Sequence, residues 1–110
     1  MAVSIVVKTF DSEAFCGYKQ ITTFFEDFSI ADNFGIDAIM DTYDRAFKEW
    51  KKNYKYLTEL VMVLNWKCWQ HNGTNPVYSK AYSDLYYQAH DYACNNLEGD
   101  ELTYYLRTTD

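Results

Sequence analysis

Residues 59–72 read ELVMVLNWKCWQHN, and the placing of this stretch decides the fold. Extended back to Tyr56, it carries Leu57, Leu60, Val61, Leu64, Cys68 and His71 on one face of an α-helix. Met62, Val63, Trp66 and Trp69 take the other sides, and a helix apolar nearly all round is buried on more than one side. Residues 56–72 are therefore the expected central helix, with Leu60, Val61, Leu64 and Cys68 in the core. Trp66 points away from that seam, as second-layer core or as an exposed anchor.

Working outward, Gly73 suits the position just past the helix end, and Asn75-Pro76 supplies an N-cap and an N1 proline for the next helix. An antiparallel hairpin follows, with residues 76–97 as its second arm. The inner face of that arm reads Tyr78, Ala81, Tyr82, Leu85, Ala89, Tyr92, Ala93 and Asn96; its alanines leave room for the tryptophans opposite, and Tyr87 lies on the outer side.

Upstream, Ile36–Tyr54 is strongly amphipathic, with Ile36, Ile39, Met40, Tyr43, Phe47, Trp50 and Tyr54 on one face. Asp41 to Arg45 and Asp44 to Lys48 form acid-before-base i,i+4 pairs on the other. Residues 22–33 read as a shorter helix stopped near Gly35, and residues 11–21 as irregular, with Gly17 as a breaker. Val3, Ile5 and Val7 alternate along residues 2–8 as a β-strand, which needs a partner. That partner is either the tail LTYYLR (102–107), which reads equally as a strand or as a short helix capped by Asp100, or a second chain. The expected fold is thus mainly α: a compact bundle of about four helices with an N-terminal β-strand. It forms a single domain over residues 1–110, divided into an N-terminal segment (1–21), a bundle (22–97) and a C-terminal segment (98–110).

The 110 residues suffice to bury roughly two thirds of the unfolded surface without staples. Aromatic residues make up 19%, eleven of them tyrosines, which suits both half-buried positions and binding surfaces. The net charge of −6 is segregated: residues 11–44 sum to −7, residues 45–67 to +4, and residues 68–110 to −4. An acidic total disfavours direct nucleic-acid binding, because the phosphate term is repulsive. The basic stretch around Lys51, Lys52 and Lys55 reads as a solvated helix end rather than an anion site. No signal-peptide pattern and no membrane-spanning apolar run is present, and three cysteines cannot all pair. A cytoplasmic protein with buried free thiols is expected.

Two Cys/His pairs, Cys68-x2-His71 and His90-x3-Cys94, make a complete zinc-ligand inventory by count. In the hairpin, however, Cys68 faces roughly residue 80, so His90 lies on the order of 15 Å further along. Bonds of about 2.0–2.3 Å do not bridge that gap. Cys68 and His71 also share a helix face as a nucleophile–base pair would, but the seam position favours a small core hydrophobe followed by a cap. Asp37, Asp41 and Asp44 share a face that Arg45 and Lys48 compensate. No phosphate-binding glycine loop, EF-hand, HExxH or GxSxG is found. The expectation is a protein that is not an enzyme, with no catalytic, cofactor-binding or metal residues and no cofactor.

EDFSIADNFGIDAIMDTYDRAFKEW (26–50), YKYLTELVMVLNWKCWQHN (54–72) and NLEGDELTYYLRTTD (96–110) resemble a family of small uncharacterised proteins of phages and conjugative elements in gut Firmicutes. The resemblance spans about residues 22–110 and assigns no functional residue. It implies an accessory protein of a mobile element that binds a host or element-encoded protein, with inhibition of CRISPR or restriction systems as the sharper form. The surface expected to carry binding is Trp66 and Tyr87 as aromatic anchors, with Asp37, Asp41 and Asp44 as a charged rim. The alternatives are a structural homo-oligomer built through the 2–8 strand, or a small Cys/His-based enzyme or metal protein.

Overall fold

A computed structural model describes residues 18–109, with side chains from residue 23 onward. Five helices and no strand occur among the described residues: α1 (Tyr18–Asp32), α2 (Ile36–Trp50), α3 (Tyr54–His71), α4 (Pro76–Asn96) and α5 (Gly99–Thr109). The expected strand at 2–8 and its pairing lie outside them. The mainly helical architecture stands, with one helix more than the sequence pattern indicated.

The central helix is α3, which packs against all four others and most extensively against α4. Leu57, Leu60, Val61, Val63 and Leu64 are fully buried, facing Phe24, Phe25 and Phe28 of α1, Ile39 and Tyr43 of α2, and Tyr82, Leu85, Ala89 and Ala93 of α4. The alanines let the hairpin arms approach closely. The hairpin register is close to that expected: Cys68 stands opposite Ser79, with Sγ to Oγ 3.6 Å and the Ser79 hydroxyl donating to the Cys68 carbonyl at 3.0 Å. Asn75 caps α4 by accepting from the Tyr78 N–H at 3.1 Å, Pro76 opens it, and Gly73 turns the chain at φ 83°.

Several boundaries differ from the expectation. α1 begins at Tyr18, so residues 18–21 are helical rather than irregular. α2 ends at Trp50 instead of Tyr54 because Asn53 adopts an extended conformation and caps α3, accepting from the Lys55 N–H at 2.9 Å. The strand option for 102–107 fails. With Gly99 at φ 57° the chain re-enters a helix, Asp100 and Glu101 occupy its positive end and Arg107 its negative end, and Leu102 and Tyr105 turn inward at helical spacing. Asn96, expected on the inner face, is exposed, as is Trp69. Cys68 is only partly buried, at the edge of the core rather than within it.

The largest departure concerns polarity. Thr58, Glu59 and Lys67 are fully buried on α3. Thr58 returns its hydroxyl to the Tyr54 carbonyl at 2.7 Å, a local solution. Lys67 needs partners from elsewhere, and they come from the end of α1.

Candidate docking groove

Phe24, Phe25, Phe28 and Ala31 recur along α1 at helical spacing and all face inward. Ile30, two residues past Phe28 and so about 200° round the helix, is turned to solvent, with 57% of its surface exposed. Phe34 follows in the turn to α2 and is 75% exposed. Gly35 makes that turn possible: at φ 96° and ψ −173° it occupies a region that side-chain-bearing residues avoid. Between the two helices lies a depression of about 210 Å³, bordered by Ile30, Phe34 and Ala38 and by Asp27, Asp41 and Arg45. Arg45 reaches Asp41 at 3.4 Å and donates to the Thr42 hydroxyl at 3.5 Å. Burial pushes the Asp27 carboxyl up from its ordinary range, Arg45 pulls it back, and neighbouring Glu26 adds to the rise.

Asp32, at the end of α1, is held by three other side chains. Its carboxylate pairs with Lys67 Nζ at 2.5 Å, accepts the Tyr82 hydroxyl at 2.5 Å, and meets His71 Nε2 at 3.0 Å. The Tyr78 hydroxyl donates to the Asp32 carbonyl at 3.1 Å, satisfying an acceptor freed at the helix end. Lys67 spends its remaining protons on Gln70 Oε1 at 3.1 Å and Ser29 Oγ at 3.4 Å, and its ammonium lies 5.0 Å from the Phe25 ring centroid. His71 stacks on Tyr82, with centroids 5.7 Å apart and planes 3° from parallel. Burial, and then the Asp32 carboxylate, hold the Tyr82 phenol far above its ordinary range. A carboxylate with three donors and an ammonium with three acceptors leave little valence for a substrate. This cluster fastens α1 to the α3–α4 hairpin and fixes the turn that carries Phe34.

The sequence-predicted surface residues fall in different places. Asp37, Asp41 and Asp44 are exposed, and of the three only Asp41 borders the groove. Asp41 forms its expected pair with Arg45, while Asp44 and Lys48 form no ion pair among the described residues. Tyr87 is 59% exposed on α4. Trp66 is half-buried against the core, beside a small depression that it shares with Val61, Met62 and Tyr86. Tyr86 lies between the two expected anchors, sharing that depression with Trp66 and meeting the Tyr87 ring at 5.2 Å between centroids.

The Cys/His pairs also separate. His71, expected as a helix cap, turns to Asp32, while Cys68 turns to Ser79, so the two do not act on one another. His90 meets α5: Nδ1 is 2.6 Å from the Tyr105 hydroxyl, and Nε2 is 3.6 Å from Cys94 Sγ. Among the described residues no group of three or more His, Cys, Asp or Glu side chains is arranged to hold a metal ion. Lys51 is not simply solvated. Its ammonium lies 5.3 Å from the Phe47 ring centroid and 5.6 Å from that of Tyr92, at the edge of a depression of about 400 Å³ where Glu101 opposes the lysines.

Sequence reasoning missed Ile30 and Phe34 as surface residues and Asp32–Lys67 as a pair. The signals were there. Lys67 continues the Leu60–Leu64 seam at a spacing of three, and Asp32 is an acid at a helix C-terminus, where the macrodipole disfavours it unless a cation is near. No helix among the described residues is long and apolar enough to cross a membrane. No family model, curated protein or solved structure matches this chain.

Proposed function

We propose that this chain is a non-enzymatic protein-binding accessory protein that uses the α1–α2 groove. The observation carrying this reading is the pair Ile30 and Phe34, two large apolar side chains left in solvent beside a groove with two carboxylates on its walls. Exposed apolar groups rimmed by polar ones mark interaction sites, and the polar cluster around Asp32 anchors the backbone of the α1 end between Ile30 and Phe34. Asp27 is disfavoured as an anion by burial, so a partner cation placed beside it relieves that cost. The partner is accordingly a protein segment with an apolar side chain for the groove and Lys or Arg on its flank. Asp37 and Asp44 extend the negative rim. By the sequence resemblance, the setting is the cytoplasm of a bacterium carrying a phage or conjugative element, and the partner is host- or element-encoded. Anti-defence inhibition is the finer form of the proposal.

A photo-crosslinking amino acid at position 34, compared with one at position 87, tests it. A single protein captured from position 34, and lost when Asp41→Lys is added with helicity retained, supports the groove. Capture from position 87 alone would move the interface to α4. Light scattering separates self-association, the second reading.

A further inference from the structure

Away from the groove, the link between α2 and α3 borders a depression of about 400 Å³ together with the end of α4 and the start of α5. Pockets of roughly 300–1,000 Å³ hold small molecules. The lysine side of this one carries a fixed charge. Lys51 is half-buried, and its ammonium lies 5.3 and 5.6 Å from the Phe47 and Tyr92 ring centroids. An ammonium has three donors, and among the described residues no hydrogen bond or ion pair uses those of Lys51. Glu101, on α5, is exposed, and its carboxylate is likewise unpaired among the described residues. The two opposite charges thus share one depression without meeting.

Two asparagine amides line the same space, each with one end already used. Asn53 Oδ1 accepts the Lys55 N–H at 2.9 Å, which leaves its NH₂ group as a donor. Asn96 Nδ2 donates to the Tyr92 carbonyl at 2.8 Å, which leaves its Oδ1 as an acceptor. The backbone partner decides which way round each amide stands. The unused functions around the depression are therefore a cation, a donor, an acceptor and an anion. A simple anion would satisfy the lysines but be repelled by Glu101, whereas a zwitterion satisfies both signs.

We propose that this depression binds a short peptide of dipeptide size with both termini free. Its carboxylate meets Lys51, with Lys52 and the positive end of α3 adding to the attraction. Its carbonyl accepts from the Asn53 amide, its own N–H donates to Asn96 Oδ1, and its ammonium pairs with Glu101. An extended dipeptide spans about 7 Å, and Tyr54 and Leu97 offer apolar surface to a side chain. The site is separate from the α1–α2 groove and does not depend on it.

The test is an NMR titration of the ¹⁵N-labelled full chain with alanyl-leucine, its N-acetyl form and its C-terminal amide. The free dipeptide should shift the backbone amides of residues 51–54, 92–97 and 101 saturably, and each cap should weaken binding several-fold. Lys51→Met keeps the stem on the Phe47 and Tyr92 rings, and should bind free and amidated peptide equally while still preferring a free ammonium. Glu101→Gln should do the reverse, losing only the preference for the ammonium. The capped peptides on the parent decide the matter where a variant does not fold. No saturable shift at millimolar dipeptide, or caps without effect on the parent, would overturn the proposal. So would inorganic phosphate shifting the same amides at lower concentration than the dipeptide, which would make this a site for simple anions.

Discussion

At the scale of single residues, Asp32 and Lys67 form the ion pair that ties the end of α1 to α3. Lys67 has no exposed surface, whereas the Asp32 side chain keeps 14% exposure and two further donors in His71 and Tyr82. The two are therefore not equivalent to remove. Asp32→Ala leaves a buried ammonium with only neutral acceptors, and should cost about 3–5 kcal/mol. Lys67→Met keeps the stem that packs over Phe25 and leaves a carboxylate that reaches water, so its cost should be clearly smaller. Combining Lys67→Met with Asp32→Asn should recover much of the loss of Asp32→Ala, because no uncompensated charge remains. Urea unfolding of the three variants measures this order. A Lys67→Met protein less stable than Asp32→Ala would show that the ammonium has another charge partner.

At the scale of elements, the legible features were those where sequence periodicity and chain-reversal chemistry agree. Residues 56–72 announce a buried helix by their apolar circumference, and Asn75-Pro76 after Gly73 announces the hairpin; the structure has both. The tail was ambiguous because LTYYLR satisfies a period of two and a period of three at once, and only the contact of Leu102 and Tyr105 with the bundle separates them. The groove was less legible still. Ile30 looks like core by composition, and its exposure follows from the orientation that Phe24, Phe25 and Phe28 impose on α1, a tertiary choice that no local rule contains. The turn between α1 and α2 rests on Gly35. A Cβ there would meet only the Tyr78 hydroxyl, at an ordinary 3.9 Å, so space is not the obstacle. The positive φ is. Gly35→Ala should therefore cost about 1–3 kcal/mol from backbone strain alone. If that strain moves Phe34, position-34 crosslinking should weaken while position-87 behaviour stays as it was. A thermal unfolding scan beside the crosslinking assay reads both, and an unchanged melting temperature would contradict the strain argument.

At the scale of the whole molecule, the tyrosine excess becomes a property of the fold, because phenols close the core at several separate joints. Tyr43 is buried on α2, Tyr82 bridges α4 to α1, and Tyr105 ties α5 to α4. Burial raises all three. For Tyr43 the rise, with a second contribution from Asp44, is from 10.0 to about 12, and Tyr82 and Tyr105 are pushed higher still. In the unfolded chain each ionises near its ordinary value, so above about pH 10 the unfolded state binds fewer protons than the native one. Stability must then fall as pH rises. The contribution is intact below pH 10 and is lost for Tyr43 as pH passes through about 12, while Tyr82 and Tyr105 continue to draw it down beyond that point. Unfolding should thus be cooperative in alkali, with the 295 nm absorbance of these phenolates appearing together with loss of helical circular dichroism. Tyr43→Phe removes one of the three linked protons and should make the decline of the urea midpoint between pH 10 and 12 shallower. A decline as steep as the parent's would mean that Tyr43 ionises within the native structure without opening it.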